Sequence, residues 1–292
     1  MMETTKAQLL TRKICLVTGA SRGIGYETAA GLAQLGAHVI IVSQNYERAQ
    51  HAQQRITTEF GEGAARFYAA DLSAQAQVDQ LAQHIISDYG QLDVLVNNVG
   101  GWFRKYQESA DGIEMTFALN HLSYFLLTGR LLPLLQKSSP ARIINVSSDA
   151  HRQAKDIQFE DIQFKRKYRV FSAYAQSKLA NVLFTYELAR RLEGTNLTVN
   201  ALHPGFVKTN LYRHFGLMTP LVNLLADLIG KNAVEGAQTS IYLASSPEVA
   251  GVTGKYFSDC EPQDSSPATY DLSQAQRLWD LSEEMTGFNY PI

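Results

Sequence analysis

The chain has 292 residues and is poor in cysteine, in net charge and in long oily runs; each shortage excludes a class of protein. Its two cysteines, Cys15 and Cys260, lie far apart, which rules against a disulfide scaffold or a cysteine-built metal site and points to a reducing compartment. Cys15 sits in an apolar run and reads as a small core residue. A net charge of -2 offers no argument for nucleic acid or an acidic partner. The seven histidines show no ligand spacing, so no metal is expected. The opening MMETTKAQLLTRK is polar and lacks an apolar core, unlike a secretory signal. No apolar run reaches the ~20 residues that span a bilayer. The longest oily stretch, 217–230, is broken by Pro220, Asn223 and Asp227 and reads as an amphipathic or buried helix. A cytoplasmic protein without a membrane anchor is the expectation.

What is present is a 45% hydrophobic chain that alternates strand and helix signals. Short apolar runs at 13–20, 38–43, 65–72, 92–100, 141–148, 197–205 and 254–259 read as seven strands. Helical spacing fills 24–35, 46–60, 74–89, 111–136 and the stretch around Tyr174 to about Leu192. This rhythm predicts an α/β protein of Rossmann type. Its doubly wound parallel sheet would be covered by helices on both faces, three αβα layers in one domain over 1–292. Two segments break the rhythm, 149–171 and 206–232, and follow strand ends where substrate loops belong. Residues 260–292 form a C-terminal extension.

TGASRGIG puts Gly19, Gly23 and Gly25 between the first strand and the first helix. Such a turn lets backbone approach a pyrophosphate, and the helix N-terminus offers N–H donors to it. No Gly-Lys-Ser/Thr sequel follows, so a nucleotide-hydrolysing loop is not expected. The second strand ends in Ser43-Gln44-Asn45, with no carboxylate before Glu47 to hold a ribose 2′-OH. Arg22 and Arg48 are candidates to meet a 2′-phosphate instead, Arg48 having a solvated helix position as its rival reading. NADP(H) is therefore favoured over NAD(H).

Tyr174 and Lys178 lie one helical turn apart on one face. Taken alone, such a pair is usually a surface lysine beside a half-buried tyrosine. A nearby ammonium would, however, draw a phenol's pKa from ~10 toward the range useful for proton transfer.

These features fall in one order along the chain: TGASRGIG, Asp71-Leu72, NNVG (97–100), Asn120, the serines of NVSS (145–148), YAQSK (174–178) and HPG (203–205). In that order and spacing the chain resembles the short-chain dehydrogenase/reductase family over nearly its whole length. It is most similar to the retinol dehydrogenase-like branch, through NVSSDAH, DIQFEDIQF, YAQSKLANVLFTYELARRL and HPGFVKTNL. NNVG stands where the family has NNAG, and Gln44 where NADP-type members often carry a basic residue.

The resemblance implies hydride exchange between a nicotinamide cofactor and a carbonyl or alcohol. Tyr174 would be the general acid/base, Lys178 its tuner and a ribose ligand, Ser148 the donor to the substrate oxygen, and Asn120 a support for a water relay. Ser147 is the alternative if the strand register slips, because neighbouring strand residues face opposite ways. Around the cofactor the resemblance places Gly19, Ser21, Arg22, Gly23, Ile24, Gly25, Asp71, Leu72, Asn97, Gly100, Pro204, Gly205, Val207 and Thr209, besides Tyr174 and Lys178. Thr209 has a helix N-cap as its rival reading, and Asn97 a role confined to stabilising the strand end. Trp102, Phe103, Tyr168, Phe171, Phe206, Leu211, Tyr212 and Phe215 supply aromatic and apolar surface on loops, which points to a lipophilic or aromatic small molecule. His151 reads as a loop residue outside the chemistry. The resemblance also points to a homodimer or homotetramer. The competing class is a non-catalytic dinucleotide-binding regulator or redox sensor, which would need no Asn120, Ser148, Tyr174 and Lys178 set.

Overall fold

The computed structural model describes residues 9–206 and 231–292. The apolar stretch at 217–230, with Val207, Thr209, Leu211, Tyr212 and Phe215, lies outside the described residues.

Strands β1 (Ile14–Thr18), β2 (His38–Ser43), β3 (Ala65–Ala69), β4 (Val94–Asn97), β5 (Ala141–Val146), β6 (Leu197–His203) and β7 (Tyr256–Ser258) pair in parallel. A short β8 (Glu261–Gln263) joins β7 antiparallel, giving the order β3-β2-β1-β4-β5-β6-β7-β8. Periodicity could not reveal β8: it is three exposed residues around Pro262, with no apolar side chain to bury.

Among the described residues the longer helices are α1 (Gly23–Gln34), α2 (Tyr46–Phe60), α3 (Gln75–Asp88), α4, α5 (Val170–Arg191), α6 (Ala233–Ser245) and α7 (Leu272–Thr286). Helix α4 comprises Met115–Phe117, a π-helical turn at Ala118–Leu122 and Ser123–Lys137. The continuous apolar strands are explained by burial on both faces. Leu16 and Ile40 pack with residues of α3, α4 and α5, while Cys15, Val17, Val39 and Ile41 pack on the opposite side with α1, α2 and α6.

The C-terminal extension closes the α4/α5 side. Trp279 of α7 and Tyr290 beyond it lie with Phe125 and Phe184 in one aromatic cluster, ring centroids 4.6–6.4 Å apart. Tyr290 donates its hydroxyl to the Phe125 carbonyl at 2.6 Å. Among the described residues no helix is long and apolar enough to cross a membrane.

The strands end earlier than their apolar runs suggest. β3 stops at Ala69, β4 at Asn97 and β5 at Val146, each two or three residues before the apolar or motif run ends. Those leftover residues, 70–72, 98–100 and 147–148, peel away from the ladder and become the rim of the cleft at the switch point of strand order, between β1 and β4.

Candidate active site

The cleft has a volume of about 1020 Å³, at the upper end of small-molecule pockets and fit for an extended ligand with a second molecule beside it. The glycine turn forms its floor. Gly19 has φ +66° and Gly23 φ +58°, left-handed conformations that favour glycine, and α1 opens at Gly23 with its N–H groups unspent. Gly25 is there for a different reason. A Cβ on it would stand 2.4 Å from the Gly19 carbonyl oxygen and 2.5 Å from Asn98 Nδ2. Gly25→Ala therefore forces the turn and the loop after β4 apart. We expect affinity for a dinucleotide to fall at least ~10-fold, read by fluorescence titration, because backbone approach to phosphate depends on that close packing.

Of the residues expected around a cofactor, Gly19, Ser21, Arg22, Gly23, Ile24 and Gly25 line the cleft, followed by Asp71 and Leu72 after β3, Gly100 after β4, and Pro204 and Gly205 after β6. Asp71 is the single carboxylate lining the cleft among the described residues, and it is already engaged: Gln44 Nε2 donates to it at 2.9 Å and Ser73 Oγ at 2.7 Å. Gln44 thus ties the β2 end to the β3 end, and Ser43 Oγ donates to Ser21 Oγ at 2.9 Å across the same edge. Arg22 and Arg48 line this edge too, and neither has an ion-pair partner among the described residues.

Asn97 does not line the cleft. Its side chain is fully buried and donates to Thr128 Oγ1 and Asn145 Oδ1, both at 2.9 Å. The strand's alternation turns Asn97 toward α4 and leaves the neighbouring Asn98 to face the glycine turn, where its Nδ2 donates to the Thr18 carbonyl at 2.7 Å. Asn98 was missed because NNVG offers two adjacent asparagines and the strand end that decides between them is not visible in the sequence.

Tyr174, Lys178 and Ser148 line the same cleft. Helix α5 carries the first two one turn apart, and Lys178 Nζ stands 5.7 Å from the Tyr174 ring centroid. Lys178 is buried, its Nζ donates to the Val146 carbonyl at 3.0 Å, and burial pushes its pKa down to about 7. The serine pair is resolved by its partners. Ser147 is buried and donates Oγ–H to the Lys178 carbonyl at 2.8 Å. Ser148 Oγ instead accepts the Ala150 N–H at 3.2 Å, which leaves its own O–H free to donate into the cleft.

Asn120 lies behind this wall in the π-helical turn. Its Oδ1 accepts the Gly101 N–H at 2.7 Å, and its Nδ2 donates to the Gly101 carbonyl and to Ser177 Oγ, both at 3.0 Å. Its side chain therefore pins the loop after β4 onto α5 and is absent from the cleft lining.

The outer wall is apolar and aromatic. Phe103, Met115 and Leu119 line it, with Gln107 as a polar member. Trp102 lies against Tyr174 at 5.5 Å and Phe171 at 6.2 Å between ring centroids, and Tyr168 donates its hydroxyl to the Phe103 carbonyl at 2.7 Å. Gln107, Met115 and Leu119 carry no motif, so only the fold brings them here. His203, at the end of β6, also lines the cleft; its Nε2 lies 3.6 Å from Asp149 Oδ2, while burial pushes its pKa down. Among the described residues no His, Cys, Asp and Glu cluster could hold a metal ion.

The short chain dehydrogenase family model matches residues 13–218. Human retinol dehydrogenase 14 is 46% identical over 295 residues, covering 96% of this chain and 88% of that protein. Among solved structures, an uncharacterized protein from Mycobacterium paratuberculosis superposes with a TM-score of 0.79 at 31% identity, over 99% of this chain and 98% of that one. A short chain dehydrogenase from Escherichia coli complexed with NADPH gives a TM-score of 0.70 at 28% identity, over 88% of this chain and 100% of that one.

Proposed function

The chain belongs to the short-chain dehydrogenase family, an NAD(P)-dependent oxidoreductase acting on CH–OH or C=O, and we propose that it prefers NADP(H), uses Tyr174 as general acid/base and takes a lipophilic or aromatic carbonyl or alcohol. One observation carries this reading: Tyr174, Lys178 and Ser148, whose Oγ accepts from Ala150 N–H and can donate its own proton, line the same cleft as the glycine turn. The cradle at Gly25, the open N-terminus of α1 and the cleft's volume fit a nicotinamide dinucleotide, which when bound exchanges hydride with the substrate carbon.

The chain's own groups handle the oxygen. In reduction, Tyr174 gives its phenolic proton to the carbonyl oxygen as negative charge builds there; in oxidation, the phenolate takes the hydroxyl proton. Ser148 donates a second hydrogen bond to that oxygen and shares its developing charge. Lys178, when protonated beside the ring, favours the phenolate. Phe103, Met115 and Leu119 on the cleft wall, with Trp102 packed on Tyr174, suit an apolar substrate. The named relative makes retinaldehyde and retinol the first candidates to try, beside simpler aromatic aldehydes.

Arg22 and Arg48, without carboxylate partners among the described residues and on an edge whose one described acid, Asp71, is already engaged, support the 2′-phosphate preference. Arg22→Ala with Arg48→Ala is expected to weaken NADPH binding ~10–100-fold while NADH changes within about twofold, each charge-assisted contact being worth ~1.5–3 kcal/mol before solvent screening. Parallel titrations of both cofactors check this, and equal losses for the two would remove the preference. Turnover of the aldehyde and alcohol panel, followed by nicotinamide absorbance, tests the whole reading. Tight cofactor binding with no turnover on any substrate would favour the non-catalytic regulator.

A further inference from the structure

His151 is fully buried three residues after Ser148, in the 3₁₀ turn Asp149–Gln153, and the reaction outlined above does not use it. All of its hydrogen-bonding groups are nevertheless committed. Its backbone N–H donates to the Ser148 carbonyl at 3.0 Å, and its Nδ1 lies 2.8 Å from the same oxygen. On the far side, the Ser266 backbone N–H donates to His151 Nε2 at 3.0 Å. A peptide N–H can only donate, so Nε2 must accept, and the ring is the neutral tautomer with its proton on Nδ1, donating to Ser148. The ring therefore bridges the carbonyl of Ser148 and the backbone of the segment after β8.

That segment is a firm anchor. Tyr186 of α5 shares a hydrogen bond with Ser265 Oγ at 2.8 Å, and Arg152 donates to the Asp264 carbonyl at 2.5 Å. Around the ring, Tyr256 of β7 packs at 4.9 Å and donates its hydroxyl to Asp149 Oδ1 at 3.0 Å. The direction of the Ser148 hydroxyl depends on this turn, because Ser148 Oγ accepts the Ala150 N–H from within it.

We propose that His151 is a positioning residue that clamps the Ser148 carbonyl to the Ser266 backbone and so aims the Ser148 hydroxyl at the substrate oxygen. The proposal rests on the role given to Ser148 above. Burial supports it by favouring the neutral ring; the Ser148 carbonyl and Asp149 oppose this, while Arg152 and His203 act with burial.

A double-mutant cycle separates positioning from mere packing. His151→Phe keeps a buried ring and the backbone bond but neither bond of the imidazole, and kcat is expected to fall ~10–100-fold with the NADPH dissociation constant unchanged within about twofold, as for loss of an interaction made in the transition state. His151→Asn keeps an N–H donor at the Nδ1 position and should recover at least about fivefold of that loss. Combined with Ser148→Ala, either change should cost less than about twofold more, since both act through one hydroxyl. Losses that multiply in the double variants, or a His151→Phe enzyme with undiminished kcat, would overturn the clamp. If His151→Phe does not fold, the cycle with His151→Asn decides the matter by the same rule. Should Ser148→Ala alone keep full turnover, the role of Ser148 fails instead, which is a different result from failure of the clamp.

Discussion

Tyr174→Phe should lower kcat by about 10²–10⁴-fold, the span expected for removing a positioned general acid/base, while cofactor affinity stays within about twofold. The change deletes one oxygen and keeps the ring that packs on Trp102 at 5.5 Å and lies beside Lys178 Nζ, so the architecture of the wall is preserved. Single-turnover rates with a responsive aldehyde and a cofactor titration on the same sample provide the check. A variant that turns over near the parent rate would sink the assignment of Tyr174, and equal loss of binding would relocate its role to the cofactor.

Lys178→Met is expected to produce two effects of opposite sign. Turnover should fall ~10²-fold or more, because the phenolate loses the ammonium that favours it. The cofactor-free protein should at the same time become more stable near neutral pH. Folding carries the Lys178 ammonium from its ordinary value of 10.5 down to about 7 by burial, so the unfolded chain binds more protons between those values. Stability of the parent therefore rises with pH through that window, and the destabilisation is fully present below its lower edge. Methionine fills the same space without charge, although the hydrogen bond to the Val146 carbonyl is lost. Each kcal/mol gained corresponds to ~2–4 °C in a chain of this size. The Tm difference should be largest at or below pH 7 and shrink toward pH 10, as thermal melts in matched buffers would show. A constant difference across that range would mean that Lys178 does not titrate as its burial implies. A melt with saturating NADPH is the natural companion, since any ligand that binds only the folded protein raises its Tm.

Much of the fold was legible because the inner strands β1, β2, β4, β5 and β6 are short runs buried on both faces, and each run is punctuated by glycine or a polar helix. The glycine turn was equally readable: left-handed φ at Gly19 and Gly23 and the contact at Gly25 are demands that few residues can meet. Tyr174 and Lys178 needed only helical spacing to be placed together. Strand ends were another matter. Where β4 and β5 leave the sheet depends on pairing with neighbours distant in sequence, and that choice sends Asn97 inward, turns Asn98 to the glycine turn and separates the duties of Ser147 and Ser148.

The sequence by itself determined the alternating architecture, the glycine turn and the pairing of Tyr174 with Lys178 on one helix face, because these follow from local periodicity and from residue types with narrow chemical uses. Only the tertiary structure decided what stands around them. Burial sets the charge state of Lys178, the π-helical turn hides Asn120 behind Gly101, and the segment after β8 reaches back to hold His151 against Ser148. Those outcomes depend on low dielectric and on hydrogen bonds between residues up to 115 positions apart, which no local pattern encodes.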